Sequence, residues 1–345
     1  MSLTDRSISV TQVLPVVTFR SDDPSFDKAV DILREGGLVA FPTETVYGLG
    51  ADGMNAEAVE SVFTAKGRPS NNPLILHVAE IAQVNDVVLS IPEAGLALAE
   101  RFWPGPLTLV LPSNGTLPSA ARAGLSTVAV RIPDHPVPRL LAERLGRGIV
   151  GPSANLSGRP SPTTAEHVLE DLRGKVDLIL DAGSTSIGLE STVIDVTQDP
   201  PVILRQGGLT IEAIKSVVPT VRMTDQIDGA ARSPGMRYRH YAPRSTVERF
   251  GYGESTSLLA RAGILLREKK KVGVLLYTAA VPKDSAAIVA RIGSDLSDYA
   301  KNLFSALRWM DEEGVELILI EEPQATGIGE TILDRLRRAS EKIED

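Results

Sequence analysis

The feature that most constrains this chain is a series of short apolar runs with helix-like stretches between them. GLVAFP, PLILHV, LTLVLP, TVAVRIP, GIVGPS, VDLILDAG, STVIDV and PVILRQ are rich in Val, Ile and Leu. Turn residues border each of them, which is the pattern of buried strands. SFDKAVDILREGG places Phe26, Val30, Ile32 and Leu33 roughly on one helical face and ends on a Gly-Gly stop. AEAVESVFTAKG, EAGLALAERFW, VPRLLAERLG, TAEHVLEDLRG and TIEAIKSVV read the same way. The alternation runs to about Val218 and predicts an α/β domain built on an open, twisted, mixed sheet.

The stretch PTVRMTDQIDGAARSPGMRYRHYAPRST breaks the pattern. It has no periodicity, holds Gly and Pro, and is locally basic through Arg232, Arg237, Arg239 and Arg244. These are the marks of an interdomain linker. Beyond it, KKVGVLLYTA, SDLSDYAKNLFSALRWMDEEG, VELILIEEP and IGETILDRLRRASEKI alternate strand and helix, as in a small parallel βαβ, Rossmann-like domain. The expected division is residues 1–220, a linker over 221–245, and a C-terminal domain over 246–345.

Composition narrows the function classes. The 345 residues contain no cysteine, which removes disulfides, thiolate metal sites and a cysteine nucleophile. The net charge of -8 argues against a generally adhesive nucleic-acid binder, although a local basic patch remains open. No run approaches the roughly 20 apolar residues of a membrane helix. The opening MSLTDRSISV lacks the charged start and apolar block of a secretory signal, so a cytoplasmic protein with no membrane partner is the expectation.

The common phosphate signatures fail. GSTSIGLE has the P-loop glycine spacing but Leu189 and Glu190 where Lys and Ser belong, and GYGEST does not complete a dinucleotide fingerprint. The histidines (His77, His135, His167, His240) are scattered, and there is no G-x-S-x-G elbow.

What remains is one device used repeatedly, an apolar strand followed by a polar loop. FPTETVYGLG carries Thr43, Glu44, Thr45 and Tyr47. AKGRPSNNPLILHV sets Lys66 and Arg68 beside Asn71 and Asn72, which suits phosphate oxygens or, equally, a solvated turn. His77 points into either the core or a site. Arg131 ends TVAVR and needs an anionic partner, internal or bound. PSAN presents Ser153 and Asn155, and SPTTAEHV then starts a helix capped by Thr163 or Thr164. GSTSIGLEST brings glycines and small residues to Ser191, and Arg205 ends another apolar run. Strand ends are where open α/β sheets bind ligands. Lys66, Arg68, Arg131 and Arg205 in one place would seat a polyphosphate together with a carboxylate.

In this order, PTETVYGLG, KGRPSNNPLILHV, WPGPLTLVL, VAVRIPDHP, GPSANLSGRPSPTT, GSTSIGLESTVIDV and ILRQGG resemble the YrdC-type domain family over about two-thirds of the chain. With SPGMRYRHYAP and the trailing βαβ segment, the chain is similar to that family's long, two-domain form, the L-threonylcarbamoyl-AMP synthases. The resemblance implies a nucleotidyltransferase around a concave basic pocket. Such an enzyme condenses L-threonine, bicarbonate and ATP, with Mg2+ on the phosphates, into threonylcarbamoyl-adenylate and pyrophosphate. A downstream transferase complex then modifies tRNA next to the anticodon.

Residue by residue, the resemblance implies that Thr45, His77, Arg131, Ser153 and Ser191 hold threonine. It gives Lys66, Arg68, Asn72, Thr127, Asn155, Ser161, Arg205, Tyr238 and His240 to ATP. The K-x-R and S-x-N signature is intact as Lys66, Arg68, Ser153 and Asn155, the set it marks as catalytic. Tyr238, His240 and Tyr241 would line a lid formed by the linker. It implies no dedicated protein metal site, and it leaves open which residue, if any, takes the amine proton. Its RNA substrate pathway leaves room for weak, double-stranded RNA binding.

Two rival readings are weaker. A carbamoyl-adenylate step in hydrogenase maturation would bring cysteine zinc motifs that are absent here. An RNA-binding module would bring basic, aromatic-rich stripes, and aromatics are only 4%. The second domain could hold the linker, bind a nucleotide regulator or dock a partner. On sequence alone, Lys66→Ala and Arg131→Ala should abolish product while leaving the fold intact.

Overall fold

The structure, a computed structural model, describes residues 10–20, 23–224, 241–282 and 285–341. The chain divides into two compact units, Met1–Ser157 with Ser161–Tyr238, and Arg239–Asp345 with Gly158–Pro160.

In the first unit every apolar run named above becomes a strand. The strands are β1 (Gln12–Pro15), β2 (Val39–Phe41), β3 (Gly48–Asp52), β4 (Ile75–His77), β5 (Leu107–Pro112), β6 (Thr127–Arg131), β7 (Ile149–Val150), β8 (Leu178–Asp181), β9 (Thr192–Asp195), β10 (Val202–Arg205) and β11 (Arg222–Met223). They form an eleven-stranded sheet in the order β1-β8-β2-β3-β7-β4-β6-β5-β9-β10-β11. Parallel pairs (β4 with β6, β5 with β9) and antiparallel pairs (β5 with β6, β9 with β10) make it mixed, as expected. β11 lies inside the stretch expected to be linker and pairs with β10.

The helices follow their predicted spans. Pro24–Arg34 buries Phe26, Ala29, Val30 and Leu33, and Asp23 caps its first turn. Ala56–Lys66 is capped by Asn55 and ends on Gly67 in the left-handed region, so Lys66 is the last helical residue. Most of the core lies on one side of the central strands, where Leu76, Leu109, Val128, Val130 and Ile194 meet Val59, Val62 and Leu98 from the helices.

FPTETVYGLG does more than turn. β2 leaves the sheet at Phe41, residues 43–47 cross over, and the chain returns antiparallel as β3, with Phe41 paired to Gly48 and Val39 to Gly50. A Cβ on Gly48 or Gly50 would come within 2.9 or 2.7 Å of the Phe41 ring. The glycines therefore let that ring lie against the return strand.

The second unit holds an all-parallel sheet in the order β12-β15-β13-β14, built from β12 (Thr246–Phe250), β13 (Val272–Leu276), β14 (Ile288–Arg291) and β15 (Leu317–Glu321). β13 and β15 match the predicted strands. β12, β14 and the helix Ser255–Arg267 were not anticipated. In this unit the helix Leu296–Glu312 buries Tyr299, Leu303, Phe304 and Leu307.

Candidate active site

The period-2 alternation of the central strands separates core from site. In β6, Val128 and Val130 enter the main core, which puts Thr127, Ala129 and Arg131 on the opposite face. The register pairs Ile75 with Ala129 and His77 with Arg131, so His77 shares that face. The apolar cluster there is small, consisting of Ile75, Val110, Ala129, Val193 and Leu204. Polar side chains border it, so this face is equipped for a polar ligand.

Arg131 is 3% exposed and held from three directions. Its Nε donates to the Gly105 carbonyl (3.1 Å) and its Nη1 to Thr45 Oγ1 (2.9 Å). Its Nη2 lies 2.6 Å from Glu44 Oε1, a charge contact inside the protein. Thr45 Oγ1 is also 2.7 Å from Thr43 Oγ1, and Thr43 gives its own proton to the Val46 carbonyl (2.7 Å). Thr43 Oγ1 also accepts from the amides of Thr45 (3.0 Å) and Val46 (3.2 Å), so both of its lone pairs are occupied.

His77 is buried, and its pKa is pushed well below the usual range, first by burial and then by the Arg131 charge. It is a neutral imidazole at neutral pH. Gly151 packs on the ring, and a Cβ there would sit 2.5 Å from Nδ1. Tyr47 donates to the Gly183 carbonyl (2.7 Å), and burial with the Asp181 charge raises its pKa. It braces the loop.

At the other end of β4, the Lys66 ammonium reaches from the end of its helix to the backbone of the PSAN loop. It donates to the Ser153 carbonyl, to the Asn155 carbonyl (2.6 Å) and to Asn155 Oδ1 (3.5 Å). Arg68 donates to the carbonyls of Asn72 (3.4 Å) and Pro73 (3.1 Å). The K-x-R and S-x-N halves of the signature are thus joined through Lys66. Ser153 is bridged to Gly48, and the Ala154 amide donates to the Tyr47 carbonyl (2.8 Å). The 43–47 crossover therefore links the PSAN loop to Arg131.

A third group closes the edge. Arg205 donates to the Ser191 carbonyl (2.9 Å) and to Ser191 Oγ (3.2 Å), and Ser191 Oγ bonds Thr108 Oγ1 (2.8 Å). Ser161 donates to Glu190 Oε1 (2.5 Å).

Thr45, His77, Arg131 and Ser191 gather at the end of β6 that carries Arg131. Lys66, Arg68, Asn72, Ser153 and Asn155 gather near the start of β4. Thr127 lies at the far end of β6, about 13 Å from Arg131 along the strand at about 3.3 Å per residue. Arg205, expected with ATP, is bonded to Ser191 of the amino-acid set. Tyr238 and His240 lie outside the described residues. Tyr241 is the described member of the expected lid contacts. It belongs to the second unit, buried and stacked on Phe304 with ring centroids 5.3 Å apart.

Sequence reasoning named Thr43 and left Glu44 unresolved, met Glu190 only as a mismatch to the P-loop, and passed over Thr108. A lone threonine inside LTLVLP was the available signal for Thr108.

The family model described as telomere recombination (Sua5/YciO/YrdC) matches residues 31–207, and that of the threonylcarbamoyl-AMP synthase C-terminal domain matches residues 209–341. The chain is 47% identical over 316 residues to a threonylcarbamoyl-AMP synthase of Pyrococcus abyssi, covering 90% of this chain and 93% of that protein. It is 43% identical over 327 residues to one of Bacillus subtilis, covering 93% and 94%. The crystal structure of P. abyssi Sua5 complexed with L-threonine superposes with a TM-score of 0.89 at 44% identity, over 96% of this chain and 97% of that one. The chain belongs to the threonylcarbamoyl-AMP synthase family.

Proposed function

We propose that this chain is a nucleotidyltransferase that makes L-threonylcarbamoyladenylate and pyrophosphate from L-threonine, bicarbonate and ATP, for modification of tRNA next to the anticodon. The observation that carries the reading is the bonding of the 43–47 crossover to both Arg131 and the Lys66-braced PSAN loop. It supports an amino-acid seat beside a phosphate seat in this reading.

In this reading Arg131 takes the threonine carboxylate, and Thr45 takes another polar group of the amino acid. His77, Ser153 and Ser191 complete the amino-acid seat. Lys66, Arg68, Asn72, Thr127, Asn155, Ser161, Arg205, Tyr238 and His240 serve ATP. The neutral amine attacks carbon dioxide derived from bicarbonate and loses a proton to give the carbamate. A carbamate oxygen then attacks the α-phosphorus in line, and the bond to pyrophosphate breaks. Positioned cations stabilise the developing charge.

Mg2+ would arrive on the triphosphate. The nearby carboxylates Glu44 and Glu190 are engaged by Arg131 and Ser161, so we assign the ion no protein ligand. The linker over 221–245 would exclude water from the labile carbamate, between a catalytic domain over 1–220 and a Rossmann-like domain over 246–345. A threonylcarbamoyl-transferase complex acting on tRNA is the downstream partner, with weak double-stranded RNA contact and a cytoplasmic setting. No described helix is long and apolar enough to cross a membrane.

The test is pyrophosphate release from ATP by the purified full chain. Release should require both threonine and bicarbonate. Release indifferent to either one overturns the reading.

A further inference from the structure

We infer that Glu44 is a specificity-determining and positioning residue, whose pairing with Arg131 makes the amino-acid seat selective for a zwitterion over an anion. This rests on the assignment of Arg131 to the substrate carboxylate.

Glu44 is 6% exposed, and its carboxylate faces inward onto Arg131 at 2.6 Å. Oε1 also accepts from the Asp134 amide (3.1 Å), fixing the turn after β6. The Glu44 backbone carbonyl accepts from the Ile187 amide (2.8 Å). The residue is therefore anchored on both sides of the site. Oε2 is buried and has no hydrogen-bond partner among the described residues.

A lone buried guanidinium is a monopole that attracts any anion, including the phosphates of the second substrate. Paired with Glu44 it becomes a dipole of nearly zero net charge. The complement of such a dipole is a second dipole laid antiparallel to it. An amino-acid zwitterion, with ammonium and carboxylate on one carbon, has that form. A carboxylate with no amine gains the attraction of Arg131 but meets the repulsion of Glu44. The same contact, with Thr45 and Gly105, holds the guanidinium in one orientation.

The probe is 3-hydroxybutyrate, which is threonine without its amine. In the full-length wild type it should compete with threonine at least about 100-fold more weakly than threonine binds, because the Glu44 charge goes unanswered. Glu44→Gln keeps an oxygen for the Asp134 amide and removes the charge. It should raise the threonine KM at least about tenfold and leave the ATP KM within about twofold. It should also lower the ratio of the 3-hydroxybutyrate inhibition constant to the threonine KM by about tenfold or more. Glu44→Asp, which retains the charge, should keep the wild-type ratio.

A ratio unchanged in Glu44→Gln overturns the inference, as does an equal loss of affinity for ATP and threonine. If Glu44→Gln does not fold, the wild type alone decides, since 3-hydroxybutyrate binding within about tenfold of threonine is incompatible with a dipolar seat. Arg131→Ala separates the two layers. An unchanged threonine KM there removes the carboxylate assignment itself. A raised KM beside an unmoved Glu44→Gln ratio removes only the role of Glu44.

Discussion

Lys66 is the sharpest place to separate chemistry from architecture. The structure changes what its replacement should do. The side chain is 2% exposed, and its ammonium serves the carbonyls of Ser153 and Asn155. Lys66→Met keeps most of the aliphatic stem and removes the donor. Each hydrogen bond given by the charged ammonium is worth about 1.5–3 kcal/mol, although the Ser153 carbonyl keeps a second donor in the Asn155 amide (3.0 Å). Relief of burying an ammonium returns part of that sum, so the net loss should be about 2–3 kcal/mol. For a unit of this size, each kcal/mol is worth about 2–4 °C in Tm, giving a fall of about 4–12 °C. Calorimetry on the full chain reads this without reference to turnover. Loss of product therefore comes with a loosened PSAN loop, and Lys66→Ala is not the silent probe of chemistry that sequence alone suggests. A Tm within about 1 °C of wild type would refute the bracing argument and leave Lys66 as a ligand contact only.

Two further perturbations test the surroundings. Asp52 is buried and takes a forked contact from the half-exposed Arg147, whose Nε lies 2.9 Å from each carboxylate oxygen. Arg147→Ala should therefore cost about 1–3 kcal/mol in urea unfolding, with Arg147→Lys recovering part of it, and a loss under about 0.5 kcal/mol would contradict the forked pairing. The folded protein resists protonation of His77, while the unfolded chain takes that proton near pH 6.5. Stability should fall as pH drops from about 6.5 toward 5, by up to about 1.4 kcal/mol per pH unit for each such group. His135, also lowered by burial, adds the same sign. His77→Gln should flatten the slope by up to one proton, and an unchanged slope would show that His77 protonates freely in the fold.

How much of this was legible in the sequence depends on whether a signal was local. The apolar runs became strands because Val, Ile and Leu in short blocks between turn residues leave few other ways to bury that surface. PSAN and K-x-R were visible as residue types in loops. That Lys66 spans from a helix end to the PSAN backbone was not visible, because the two lie far apart in sequence and are brought together only by the folded sheet. β3 was missed because GLGAD has no alternating apolar pattern. It is a strand because its glycines accept the Phe41 ring. The division of Thr127 from Arg131 follows from strand direction, which no composition reveals. Glu44 was seen but not understood, since a carboxylate in a loop is ordinary until a buried guanidinium is placed against it.

The second unit can be weighed by the same reasoning. Amides after β12 and β13 lie at the carboxyl ends of parallel strands, where sheets of this kind receive phosphates. Here those amides point at the unit's own carboxylate. Glu321, fully buried at the end of β15, accepts from the amides of Gly253 (3.1 Å), Tyr277 (2.8 Å) and Thr278 (3.0 Å), and also from the Thr278 hydroxyl. An arriving phosphate would have to displace a bonded carboxylate and meet its charge at close range in a dry site. Of the roles open to this unit, nucleotide binding at that edge is the one its residues oppose. The Glu321 network stabilises the sheet edge from within, which suits a unit whose work is mechanical or one of docking.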